Sequence, residues 1–203
     1  MKLLFTIVSV CMIIMGSENI TRAQANATPA TLRRVADDYY NWRNLQFPVF
    51  SSDAGLHTWD HKLTDYSPAA IEARRQHVRS LLARVNAMQT AKWKKDDQID
   101  WLLFRAQLEG VAFFDRVMDF ERADPQTYVN ECSNAIFSLL KKEYDTPRNR
   151  ARSATARLKA MPAVIEQGKR NLTKPVKLYA QLAIDSARSI DSLYNDSMMT
   201  ALA

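Results

Sequence analysis

The stretch DTPRNRARSATARLKAMPAVIEQGKRNLTKPVKLYAQLAI, residues 145–184, decides the fold class. Three prolines divide it into helical pieces. Pro147 suits a first helical turn, where the N–H it lacks would have no partner anyway. Ala151, Ala154, Leu158 and Met161 then recur on one face, the spacing of an amphipathic helix. Pro162 predicts a short break and a restart, carried on by Val164, Ile165 and Leu172. Thr173-Lys174-Pro175 opens a last helix with Val176, Tyr179, Leu182, Ala183 and Ile190 on one side. Basic residues fill the outer faces. The stretch is a helical framework and contains no recognisable chemistry.

Working back from it, Asp124-Pro125 starts a segment with Tyr128, Val129, Cys132, Ile136, Phe137, Leu140 and Tyr144 at helical spacing. Asp96 or Asp97 caps a longer helix with the strongest apolar stripe in the chain: Ile99, Leu102, Leu103, Ala106, Gly110, Phe113, Phe114 and Val117. Trp101, Val111, Met118 and Phe120 widen its arc, which predicts packing on more than one side. Gly110 in mid-helix costs about 1 kcal/mol against Ala, and a close helix crossing would explain it. Ser67-Pro68 begins a helix whose inner face is Ile71, Val78, Leu81, Leu82, Val85 and Met88, with Arg74, Arg75, Arg79 and Arg84 mostly outside. Thr28-Pro29 caps the first helix, with Leu32, Val35, Ala36, Tyr39 and Trp42 on one face, and Pro48 marks an end. Tyr39, Tyr40, Trp42 and Phe47 read as core by the usual burial of aromatics, with a ligand groove as the alternative.

Only four glycines occur among 203 residues, too few for hairpins or Gly-rich phosphate loops, and the hydrophobic fraction of 47% is enough for one real core. The expected fold is all-α, a multi-helix array of about six to seven helices. Lys2, the apolar run Leu3–Met15 and Ala23-Gln24-Ala25 read as a secretory signal over residues 1–25, which leaves a helical chain over 26–203. The run is short for a spanning helix; an uncleaved anchor is the alternative. No lipobox-like Leu-x-Gly precedes Cys11. Export places the chain in the periplasm or outside the cell. The mature chain then keeps one cysteine, Cys132, spaced as a core residue, so no internal disulfide can form. A pI near 9.4 invites a nucleic-acid reading. Lys and Arg are interleaved with acids along most helices, so a solvated basic surface and no nucleic-acid partner is the better one.

Phe47 to Tyr66 is the least regular part, with Pro48, Ser51, Ser52, Asp53 and Gly55 as loop residues. It holds the one metal-like spacing, His57-Thr58-Trp59-Asp60-His61. Two His four apart share a helix face, as in the H-E-x-x-H zinc motif, whose Glu is the general base. Here Thr58 replaces that Glu, a helix is not assured, and His77 lies on another segment. No G-x-S-x-G, C-x-x-C or His-Glu pair occurs. Asp37, Asp38, Asp60, Glu109 and Asp115 offer carboxylates, and no spacing selects two for acid–base work. No catalytic, cofactor or metal residue is assigned. The sequons at Asn26, Asn171 and Asn195 matter only in a glycosylating pathway.

The order of these pieces resembles the N-terminal part of the bacterial domain of unknown function 885 (DUF885) family over about residues 31–195. Three passages carry it: SSDAGLHTWDHKLTDYSP with Gly55, Asp60, Leu63, Asp65 and Ser67; DDQIDWLLFRAQLE; and the framework stretch with Arg157-Leu158, Met161-Pro162, Asn171-Leu172, Pro175 and Ala183-Ile184. The resemblance implies a largely helical, exported, zinc-metallopeptidase-like hydrolase. Its metal site, a His-Glu pair and a nearby Pro-Gly-His, lies far towards the C-terminus of much longer chains. It gives no histidine here a ligand role. The reading is an N-terminal helical portion, inactive alone, with zinc expected only in the missing C-terminal half. The ending DSMMTALA, without a polar tail, fits a truncated gene. Its partners are that half and a peptide substrate of the full-length protein, with no stable membrane span. The alternative is a stand-alone exported helical module that binds a protein or peptide. A zinc enzyme built on His57 and His61 is a third, weaker reading.

Overall fold

The computed structural model describes residues 27–192. The signal segment, Cys11, Asn26, Asn195 and DSMMTALA lie outside these residues. Every regular element among the described residues is a helix, and none is a strand. Its helices are α1 (Pro29–Gln46), α2 (Pro48–Asp53), α3 (Pro68–Asn86), α4 (Lys95–Phe113), a π-helical turn (Phe114–Met118), α5 (Phe120–Ala123), α6 (Gln126–Leu140), α7 (Pro147–Asn171) and α8 (Lys177–Ser192). The chain forms two compact units: residues up to Asp38 with Gln76–Ala112, and Tyr39–Arg75 with the residues from Phe113 on.

Four of the expected starts hold. Thr28, Ser67 and Thr146 each accept a backbone N–H three residues on, and Asp124 accepts from Gln126 N at 2.8 Å. The stretch Pro48–Asp53, expected as loop, is instead a short helix with Pro48 in its first turn. Asp96 and Asp97 sit inside the first turn of α4, where their charge suits the helix dipole, and not at its cap.

In the first unit Leu32 and Val35 of α1, Val78 and Val85 of α3, Met88, and Phe104 and Leu108 of α4 are buried. Trp101 Nε1 donates to Val85 O at 2.9 Å, and Gln98 Nε2 donates to Thr90 O and Trp93 O at 3.1 Å. These bonds tie the α3–α4 turn to α4. The stripe read as the strongest core face turns outward. Ile99, Leu102, Leu103, Phe113, Phe114 and Val117 are each 43–65% exposed, and α4 buries Phe104 and Leu108 on the opposite side.

In the second unit α6 is central, packed on α2, α7 and α8. One cluster joins Tyr66, Tyr128, Cys132 and Val164; another joins Ile136, Leu139 and Ala154. Cys132 is a buried core thiol, as expected, and burial pushes its pKa up to about 11. Helix α7 runs unbroken through Pro162. That residue is exposed, so its ring meets solvent and one hydrogen bond, to the Leu158 carbonyl, is given up. The predicted break is therefore absent. In α8 Ala183 is buried, while Leu182, and Val176 just before the helix, both read as inner residues, are exposed. Phe137 on α6 is also exposed.

The two helical glycines face opposite environments. A Cβ on Gly168 would stand 2.6 Å from Cγ and 2.9–3.0 Å from the Cδ atoms of the buried Tyr128 ring, whose hydroxyl donates to Glu121 O at 2.6 Å. A Cβ on Gly110 would meet nothing within 4 Å. Gly168→Ala should destabilise by about 1–3 kcal/mol, overpacking outweighing the helix gain. Gly110→Ala should stabilise by up to about 1 kcal/mol. Urea unfolding followed by circular dichroism distinguishes the two signs.

Candidate functional site

The segment between α2 and α3 is the long irregular connection, and side chains of α6 and α7 hold its backbone. Glu131 accepts from Thr64 N at 2.8 Å. Gln167 Oε1 accepts from Tyr66 N at 3.0 Å, and Asn171 Nδ2 donates to Tyr66 O at 2.7 Å. Backbone groups lacking a helix or ladder must find partners, and here long polar side chains supply them. Asn171 is itself buried, so in the folded chain that sequon is closed to modification.

Arg157 is the hub. Expected on an outer face, it is fully buried. Its Nε donates to Lys62 O at 3.0 Å. Nη1 donates to Ala135 O at 2.7 Å and Ser138 Oγ at 3.0 Å. Nη2 donates to Ser52 Oγ at 2.6 Å and Pro48 O at 3.3 Å. Those contacts match the donors a guanidinium carries. Its nearest carboxylate, Asp60 Oδ1, lies 3.9 Å away. Burial lowers the Arg157 pKa, and Asp60 opposes that shift.

Asp60 Oδ1 accepts the Ser52 hydroxyl at 2.6 Å, and Asp60 Oδ2 lies 3.0 Å from His57 Nδ1. The His57 ring stacks on Tyr144, centroids 3.3 Å apart and planes within 1°. Burial, helped by Asp60, raises the Tyr144 phenol. Ser52, Asp60 and His57 are the residue types of a hydrolytic triad, but the order of bonds is wrong. Ser52 binds the carboxylate and not the imidazole, and it is 1% exposed. It is a link in the hub and not an activated nucleophile.

The structure separates the two histidines of the metal-like spacing. Residues 58–61 form a turn and not a helix; His57 is spent on Asp60 and Tyr144, and His61 is exposed. Among the described residues no group of three or more His, Cys, Asp or Glu side chains is placed to hold a metal ion. Glu109 is an edge charge paired with Arg105 at 2.8 Å, and Asp37 and Asp38 are exposed.

A second feature is a cleft of about 370 Å³ lined by Ile71, Arg75, Glu121, Arg122, Arg170 and Asn171, among others. Arg75 bridges Asp119 at 2.7 Å and Glu121 at 2.8 Å. Asp119 closes the π-helical turn in the left-handed conformation, φ 45°, which Asp tolerates better than most residues. The Arg75 contact holds that residue in place. Beside the cleft Arg74, expected outside, is buried: Nη1 donates to Asp65 O at 2.7 Å, and the guanidinium lies 5.4 Å from the Phe47 ring centroid. The cleft offers ion-pair recognition, and its lining includes no His, Cys or Ser for proton transfer or attack.

The inner row of α7 runs Ala154, Arg157, Met161, Val164, Gly168, Asn171, alternating steps of three and four. Arg157 and Asn171 stand on it, so a charged and an amide side chain at core positions were the signal that periodicity alone passes over.

An all-α array with one side-chain-clamped connection is the class these features define. The sequence profile described as bacterial protein of unknown function (DUF885) matches residues 48–200, and the chain belongs to that family. No curated protein matches it. A solved structure described as that of a candidate lipoprotein of unknown function from Shewanella oneidensis is similar, at 19% identity and a TM-score of 0.72. The match covers 86% of this chain and 31% of that one. This likeness speaks to fold, and the chain spans about a third of the relative's length.

Arg157→Met should destabilise by about 3–5 kcal/mol, because it orphans buried carbonyls and leaves Asp60 without its cation. Limited proteolysis should then cut first between residues 54 and 67. Burial raises the Glu131 carboxyl, with the Thr64 N–H and the Arg157 charge opposing the shift. A raised folded pKa gives stability that is present below the ordinary value near 4.5 and lost as pH rises through the folded one. The stability of Glu131→Gln relative to wild type should therefore improve from pH 4 to pH 7, as read by urea unfolding at each pH.

Proposed function

We propose that the chain serves as the N-terminal helical portion of a longer, exported DUF885-type hydrolase of zinc-metallopeptidase character. Its helices would form one wall of a cleft for peptide substrate. Metal, water activation and bond cleavage would belong to the rest of the domain, so this chain hydrolyses nothing alone. The observation that carries the reading is apolar surface with nothing on it: Leu102 and Leu103 on α4, and Leu178 and Leu182 on α8, are each 43–65% exposed. Contiguous exposed apolar faces mark surfaces that pack against something. The relative's greater length supports the reading, and its description as a candidate lipoprotein supports export.

The residues of this chain do not fit a zinc site. His57 is held by Asp60, and no third donor stands with His61 among the described residues. No step of the chemistry is placed here. No helix among the described residues is long and apolar enough to cross a membrane.

A second reading, a stand-alone helical module that binds a protein or peptide, is favoured by one patch. Arg43 lies 4.9 Å from the ring centroids of both Tyr40 and Phe50, and those rings are 38% and 53% exposed. An exposed cation–aromatic platform suits an amphipathic ligand.

Residues 26–203, purified alone, should bind a hydrophobic dye and self-associate in sedimentation. A dye-negative monomer with one sharp melting transition would sink the first reading, and a saturable peptide ligand would then support the second. Sequencing the locus past codon 203 gives an independent check. A frame encoding His-Glu with a nearby Pro-Gly-His is expected, and a stop followed by unrelated sequence would count against it.

A further inference from the structure

Helix α4 is apolar on two opposite sides. At 100° per residue, Phe104 and Leu108 point one way, into the first unit. Ile99, Leu102, Leu103, Ala106 and Gly110 fall on the other side, and Leu103 is 65% exposed. Ala106 and Gly110, one turn apart, form a notch between larger neighbours, and the space above Gly110 is open. The helix therefore carries a glycine that no contact among the described residues requires. Close approach of another backbone is what a helical glycine with an ordinary φ permits. Asp100 and Glu109 stand on the two rims of the face, a polar border around an apolar centre.

We propose that this face is a helix-docking surface. Its occupant is an apolar helix from a part of the DUF885-type domain outside the helices of this chain. The inference rests on the reading under Proposed function and adds the surface, the crossing point and the kind of partner. The occupant is argued from length. The solved relative shares this fold at a TM-score of 0.72, yet the match covers only 31% of its chain, so about two thirds of it lies outside the shared helices. A second copy of α4 is the competing occupant, and the crosslinks below tell the two apart. The crossing point is Ala106–Gly110, where the two axes come closest.

The test uses the full chain expressed from its own gene in the source bacterium. Leu103→p-benzoylphenylalanine places a photo-crosslinker on the face, Leu102→p-benzoylphenylalanine provides a second position, and Leu182→p-benzoylphenylalanine on α8 is the comparison. Adducts are mapped by mass spectrometry after illumination. The expected adduct from positions 102 and 103 is a helical segment of DUF885-type sequence outside residues 29–192, on the same polypeptide or a separate one. Gly110→Leu, which has open space in the chain alone, should cut the yield about tenfold by overfilling the crossing, with helicity unchanged by circular dichroism. Adducts only between copies of this chain, or only to lipid, overturn the proposal. Capture from Leu182 with none from 102 and 103 overturns the α4 surface and leaves the longer-domain reading standing. No DUF885-type adduct from any position removes both.

Discussion

A guanidinium with no solvent exposure sets the terms for the second unit. Taking an arginine out of water costs several kcal/mol unless charge and hydrogen bonds compensate. Arg157 meets that demand with acceptors from three separate places: Pro48 and Ser52 of α2, Lys62 of the connection, and Ala135 and Ser138 of α6. None of these suffices alone, so they must be in position together. That requirement explains two otherwise odd core residues, the buried Ser52 and Ser138. It also explains Asp60, which neutralises the cation at 3.9 Å while accepting the Ser52 hydroxyl. His57 and Tyr144 cover the outer side of that carboxylate. Residues that resemble a catalytic set are accounted for by the solvation of one buried charge.

The same logic extends to the connection that follows α2. Irregular backbone usually lies on the surface, where water satisfies it. Here Thr64 and Tyr66 are buried, and protein side chains replace that water. Glu131 is the expensive member, because burial opposes its charge. The arrangement makes the connection a fixed part of the fold. It leaves Thr58, His61, Lys62 and Asp65 at the surface. Gly168 adds a steric condition, since the Tyr128 ring occupies the space a side chain would need.

Helix starts were legible because capping is local. A Ser, Thr or Asp before proline fixes a boundary within one turn, and Thr28, Ser67, Asp124 and Thr146 all stand at such boundaries. The family resemblance rested on the order of these pieces, and the profile match over residues 48–200 supports it at family level. What periodicity lacks is a direction. It marks a face of α4 as apolar but not whether that face is inside, and the broader stripe proved to be the outer one. Arg74 and Arg157 were misplaced because charge is an average indicator of exposure; a buried arginine is decided by acceptors brought from distant residues. Pro162 was read as a break because the rule weighs local cost alone, while packing along α7 from Ala154 to Asn171 outweighs one lost hydrogen bond. The metal-like histidines failed for a related reason. Spacing has meaning only on a helix, and residues 58–61 form a turn.

Two-sided helices bear most directly on function. A helix that buries one face gains nothing in isolation from a second apolar face, which orders water and invites aggregation. On α4 the second face spans three turns, with the small residues Ala106 and Gly110 at its middle and acids on its rims. Glycine at position 110 weakens the helix that carries it, and open space shows that no neighbour among the described residues requires it. A destabilising residue on an unpacked apolar face is hard to explain by the stability of this chain alone. Both features fit a surface that packs against another helix.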